Sequence, residues 1–226
     1  MVYKFNYITA VLFVLLFNVS CSTVRVIKPL GKGVTDVSFS AGGPIIGLGN
    51  LVLPIPMSSL SVSHGVSDKM SLYGGLHLTS LLFGVGHIDA GMAYGFIAPK
   101  GLIPGVQTSL GFHAMLDKWE SQFRLYPQVN AHAYWNSKNQ KHTYYFGLEN
   151  WFELSRNAAD GLTQETVYIP TIYLGDKIEG KKLNWNIEVK YVAPNYKNNY
   201  VVVDYKGLGT RGAFGLNIGV SKYFGR

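Results

Sequence analysis

The sequence predicts an all-β protein: an up-and-down antiparallel barrel of about ten strands that crosses a membrane. Three observations predict it. Long stretches alternate apolar and polar residues, the spacing that sends successive side chains to opposite faces of a strand, and no segment after the N-terminus shows a convincing helical period. Charged residues make up only 15% of the 226-residue chain while aromatics reach 14%, yet beyond the N-terminus no apolar run approaches the roughly 18 residues of a spanning helix. Short turns alternate with longer loops, as in a meander whose two ends face different compartments.

Residues 1–20 read as a secretory signal. Lys4 supplies a positive start, and ITAVLFVLLF is an apolar stretch of the right length for its central region. Cys21 is the only cysteine, so no intramolecular disulfide can form. Its place after Val19 and Ser20 resembles a bacterial lipoprotein signal, with Asn18 standing where Leu is usual. That resemblance implies cleavage before Cys21 and acylation of its thiol. Ser22 stands where some envelope lipoproteins carry an inner-membrane Asp, which points to the outer membrane. Ordinary signal cleavage with a spare thiol is the alternative. Residues 21–33 are expected to be a tether, because Pro29, Gly31 and Gly33 interrupt any element.

The barrel domain is then 34–226, with strands expected at 34–42, 57–65, 69–79, 86–97, 105–116, 122–135, 141–154, 165–176, 182–193 and 212–224. The dyad is clearest in LNWNIEVKYVA, where Leu183, Trp185, Ile187 and Val189 oppose Asn184, Asn186, Glu188 and Lys190. It recurs where Leu110 and Phe112 oppose Gln107, Ser109 and His113, and where Leu216 and Ile218 oppose Asn217 and Ser221. The stretch 165–176 is ambiguous, with Pro170 inside it.

A soluble barrel alternates too. Three features turn the oily face toward lipid. Glycines (Gly75, Gly91, Gly95, Gly111, Gly147, Gly215, Gly219) fall on the polar face, where a crowded lumen needs small residues. Aromatics gather at strand ends: Trp135, Tyr144, Trp185, Tyr223 and Phe224 at one rim, Trp119, Phe152 and Tyr191 at the other. The strands also have about the 9–11 residues that a tilted span requires.

SVSHGVSDKMSLYGGLHL resembles the strand–turn–strand units of bacterial outer-membrane β-barrel proteins, and NIGVSKYF resembles the C-terminal signal read by their assembly machinery. The second departs from the pattern at Lys222 and in the trailing Gly225 and Arg226. The resemblance implies an outer-membrane location, with membrane lipid and the barrel assembly machinery as partners. It implies no chemistry.

The net charge of +7 is scattered rather than gathered into a stripe, which argues against nucleic acid. Lys69, Lys100, Lys138, Lys141, Lys177, Lys181 and Lys182 are expected to face water or lipid phosphates. Neighbouring strands should bring His77, His87, Asp89 and His113 together near the outer rim, with Ser80 in the loop between. We read them as a hydrogen-bonded lumen network, with no cofactor. A transition-metal site or a His–Asp hydrolase is the runner-up. Arg124, Glu149, Glu153, Glu188 and Lys190 should form a charge network inside. The expected role is structural or surface-presenting. The alternatives are a barrel enzyme, a metal-binding barrel, or a soluble periplasmic ligand-binding lipoprotein.

Overall fold

A computed structural model describes residues 23–119, 121–155, 167–198 and 203–225. The predicted signal and Cys21 lie outside the described residues. The chain forms β1 (Thr35–Leu48), β2 (Leu51–Pro54), β3 (Met57–Gly65), β4 (Met70–His77), the short helix α1 (Leu78–Leu82), β5 (Val85–Ile97), β6 (Gly105–Asp117) and β7 (Phe123–Asn136). It continues through β8 (His142–Phe152), β9 (Tyr168–Glu179), β10 (Asn184–Lys197), β11 (Asp204–Tyr205) and β12 (Arg211–Phe224). Ten of these strands make a closed antiparallel barrel, because β1 pairs with both β3 and β12. The remaining two, β2 and β11, extend β1 above the wall. The polypeptide begins and ends its barrel at one rim, where Thr35 pairs with Phe224.

The dyad points as the sequence indicates. Trp185 and Ile187 are 50% and 45% exposed on the outer face, while Glu188 and Lys190 are 0% and 1% exposed inside. Leu60, Val62, Leu72, Ile88, Leu110, Phe146, Leu174 and Ile218 continue the outer belt across the other strands. A closed barrel with its apolar side chains outside and its charges inside suits lipid and not water. Pro170 lies in β9 opposite Asn150, one residue beyond the last β10 pairing at Thr171, so its missing N–H removes no bond to β10. There β10 bulges, with Ala193 at φ +48°.

The glycines on the inner face serve tyrosines. Tyr145 lies opposite Gly175, Tyr173 opposite Gly147, Tyr73 opposite Gly91 and Tyr134 opposite Gly105. Each ring lies across its glycine partner, where a Cβ would collide with it. Two side chains of the wall take other places than the sequence leads one to expect. Lys177 lies within β9 and points inward, bonded to Asp36 at 2.9 Å, because that strand runs on to Glu179. Tyr223, paired with Asp36 at the rim, faces the same pocket, its ring 4.7 Å from the Lys177 ammonium.

Candidate functional site: the occupied lumen

Residues 23–33 form no regular element, and they run inside the barrel. Val24, Val26 and Ile27 are buried there. Val24 and Ile27 pack with Tyr134, Tyr145 and Tyr173, while Val26 packs with Tyr73 and Ala93. An irregular backbone in a lumen needs partners for its polar groups, and the wall supplies them. The Val24 amide donates to Glu188 Oε2 at 3.2 Å, and Gln107 Nε2 donates to the Val26 carbonyl at 2.6 Å. His132 Nε2 lies 2.6 Å from the Ile27 carbonyl, which can only accept, so that nitrogen carries the proton. At the rim, Lys28 pairs with Glu179 at 2.5 Å. The chain then reverses into β1 through Gly31 and Gly33, at φ +84° and +80°, a backbone conformation that side chains rarely adopt.

Arg25 is the innermost clasp. Its Nε lies 3.0 Å from Asp89 Oδ1 and its Nη2 2.5 Å from Oδ2, while Nη1 donates to Ser59 at 3.0 Å. Gly75 makes room for this contact, since a Cβ there would meet both Arg25 and Asp89. Nothing in the sequence marks Arg25. It is one basic residue in a short stretch without period, and its partner lies 64 positions away.

The four rim residues do meet. His77 ends β4, His87 is near the start of β5, and His113 on β6 pairs in register with Asp89. All four are buried. The His77 and His87 rings stack at 3.6 Å, His113 stacks on Trp151 at 3.9 Å, and His87 Nε2 lies 3.0 Å from His113 Nδ1. His77 Nε2 lies 2.9 Å from Asp89 Oδ2. The hydrolase pattern is split between two histidines. The carboxylate faces His77, whereas the Ser80 hydroxyl faces His87 at 3.5 Å.

The predicted inner charges form two groups. Lys190 lies 2.8 Å from Glu149 and 3.5 Å from Glu188, and Glu149 also accepts from Gln128 and Trp151. Arg124 pairs separately with Glu153 at 3.4 Å. The inner segment joins the first group to the histidine cluster, Val24 touching Glu188 and Arg25 touching Asp89. Of the other histidines, His132 holds the segment, and exposed His64 contacts Thr35 at 2.9 Å.

No protein-family model and no curated protein matches this chain. Solved structures do. An outer membrane channel from Pseudomonas putida F1 superimposes with a TM-score of 0.51 at 8% identity, covering 89% of this chain and 99% of that one. The NanC porin gives 0.45 at 10% identity, with 83% and 98% covered. The transport unit of the autotransporter AIDA-I from Escherichia coli gives 0.43 at 10% identity, with 96% and 97% covered. The likeness shows the fold, that of bacterial outer-membrane β-barrels.

Proposed function

We propose that this chain is a non-conducting barrel of the bacterial outer membrane, a rigid mount for its outer loops whose lumen is stoppered by its own residues 24–30. The observation that carries this reading is the occupied lumen, in which Arg25 is clasped by Asp89 and the Val24, Val26 and Ile27 backbone is bonded to the wall. A ten-stranded barrel encloses little space to begin with. The cavity beside Arg25, Asp89, His113 and Glu149 has a volume of about 20 Å³, room for about one water.

Membrane lipid is the partner of the outer belt. The barrel assembly machinery is the partner this reading gives to β12, the strand that closes the barrel onto β1. The lipobox-like run supports acyl anchoring at Cys21. Thr23 is buried in the lumen beside Gly219, and two residues of chain reach only about 7 Å. Acylation at Cys21 would therefore draw the first residues toward the rim, parting the Val24 amide from Glu188.

Recording from purified full-length protein in planar bilayers tests the reading. The expected result is no steady current through folded barrels. Stable ohmic steps from wild-type protein would replace the stopper with a pore.

A further inference from the structure

We propose that His77, His87 and His113 form a binding site for a divalent transition-metal ion of the zinc and copper class at the outer end of the lumen. One ring nitrogen from each lies within 4.8 Å of those of the other two. Three adjacent strands deliver them, so the spacing is set by sheet register rather than by a mobile loop.

The donor set selects the class of ion. Both oxygens of Asp89 are engaged, Oδ1 with Arg25 and Oδ2 with Arg25 and His77, so the carboxylate stands behind the imidazoles and not among them. What remains is three nitrogens. Imidazole suits zinc, copper, nickel or iron, whereas magnesium and calcium require oxygen. The Asp89 carboxylate can only accept, so His77 Nε2 carries its proton and Nδ1 keeps the lone pair. A carboxylate that orients a ligating histidine in this way is the usual outer support of a metal site.

One pair of nitrogens already has nearly the required spacing, and one ring must turn to bring in the third. Metal–nitrogen bonds of about 2.0–2.1 Å in a tetrahedral site set the nitrogens about 3.3 Å apart. His87 Nε2 and His113 Nδ1 lie 3.0 Å apart, sharing one proton that a metal would replace. His77 and His87 are parallel to within 4°. Lone pairs lie in the ring plane, so one of the two rings must tilt about its soft second torsion to face the ion. Trp151 backs His113 and keeps that ring in place.

The test uses untagged, refolded full-length barrel, with folding checked by the mobility shift on boiling. After loading with Zn²⁺ and passage over a desalting column, wild type should retain about one equivalent and melt at a higher temperature than the chelated protein. Loading with Co²⁺ should give the intense visible bands of a tetrahedral nitrogen site, a readout that needs no variant. His87→Gln and His113→Gln should each lose the retained metal, while His64→Gln and His142→Gln, outside the cluster, should keep it. Wild type that retains no Zn²⁺ and shows only the pale spectrum of hydrated Co²⁺ would overturn the proposal. Equal retention in the cluster variants and the outside variants would overturn it as well.

Discussion

Arg25 and Asp89 meet inside the barrel in a two-point ion pair, 3.0 Å at Nε–Oδ1 and 2.5 Å at Nη2–Oδ2, across 64 residues of sequence. The pair joins a segment without regular structure to the wall of a closed sheet. Removing one partner would leave the other charge buried and unpaired.

That asymmetry gives the first prediction. Arg25→Ala should lower barrel stability by about 3–5 kcal/mol, since the Asp89 side chain is only 1% exposed. Arg25→Met combined with Asp89→Leu should recover much of the loss, because no unpaired charge remains. The temperature at which the folded gel band gives way to the unfolded one measures both. An Arg25→Ala midpoint equal to wild type would show that the clasp contributes nothing.

Ile187 and Asn186 are neighbours on opposite faces. Ile187→Arg should reduce insertion into phosphatidylcholine vesicles, at a cost of about 2–4 kcal/mol near the bilayer midplane, whereas Ile187→Phe should insert normally. Asn186 is buried, and the Tyr145 hydroxyl donates to its Oδ1 at 2.8 Å. Asn186→Arg should therefore fail as well, from overpacking, while Asn186→Ser should fold. Normal insertion of Ile187→Arg would remove that face from lipid.

The Tyr134–Gly105 pair predicts a coupled effect. A Cβ on Gly105 meets the Tyr134 ring first, so Gly105→Ala should destabilise by about 1–3 kcal/mol. In a Tyr134→Ala background the same change should cost much less. A thermal double-mutant cycle reads the coupling. Additive losses would mean that the ring does not depend on the glycine.

Cys21 is tested by labelling. Radioactive palmitate should enter the wild-type chain and not Cys21→Ala, which should run as an unprocessed or differently cleaved band. Label retained in Cys21→Ala would place any acyl chain elsewhere.

Much of the fold was legible in the sequence, and LNWNIEVKYVA shows why. A strand's side chains alternate strictly, and lipid demands an apolar residue at every outward position, so both constraints are written locally. The inward glycines were legible for the same reason, although the tyrosines across from them were not. That pairing depends on register between strands, which no single strand records. The rim histidines could be grouped from the meander alone, since adjacent strands set their neighbours. Lys177 was misplaced because the end of β9 is decided by pairing with β8 and β10.

The sequence by itself determined the ten wall strands to within a few residues, the lipid-facing side of those with a clear dyad, and the gathering of His77, His87, Asp89 and His113. Only the tertiary structure decided what fills the barrel. Residues 23–33 carry no period, and their position rests on partners as distant as Glu188 and Asp89. Local pattern records the solvent on either side of a strand. It does not record which distant group satisfies a buried amide or a buried charge, and inside a closed barrel those partners settle where the chain lies.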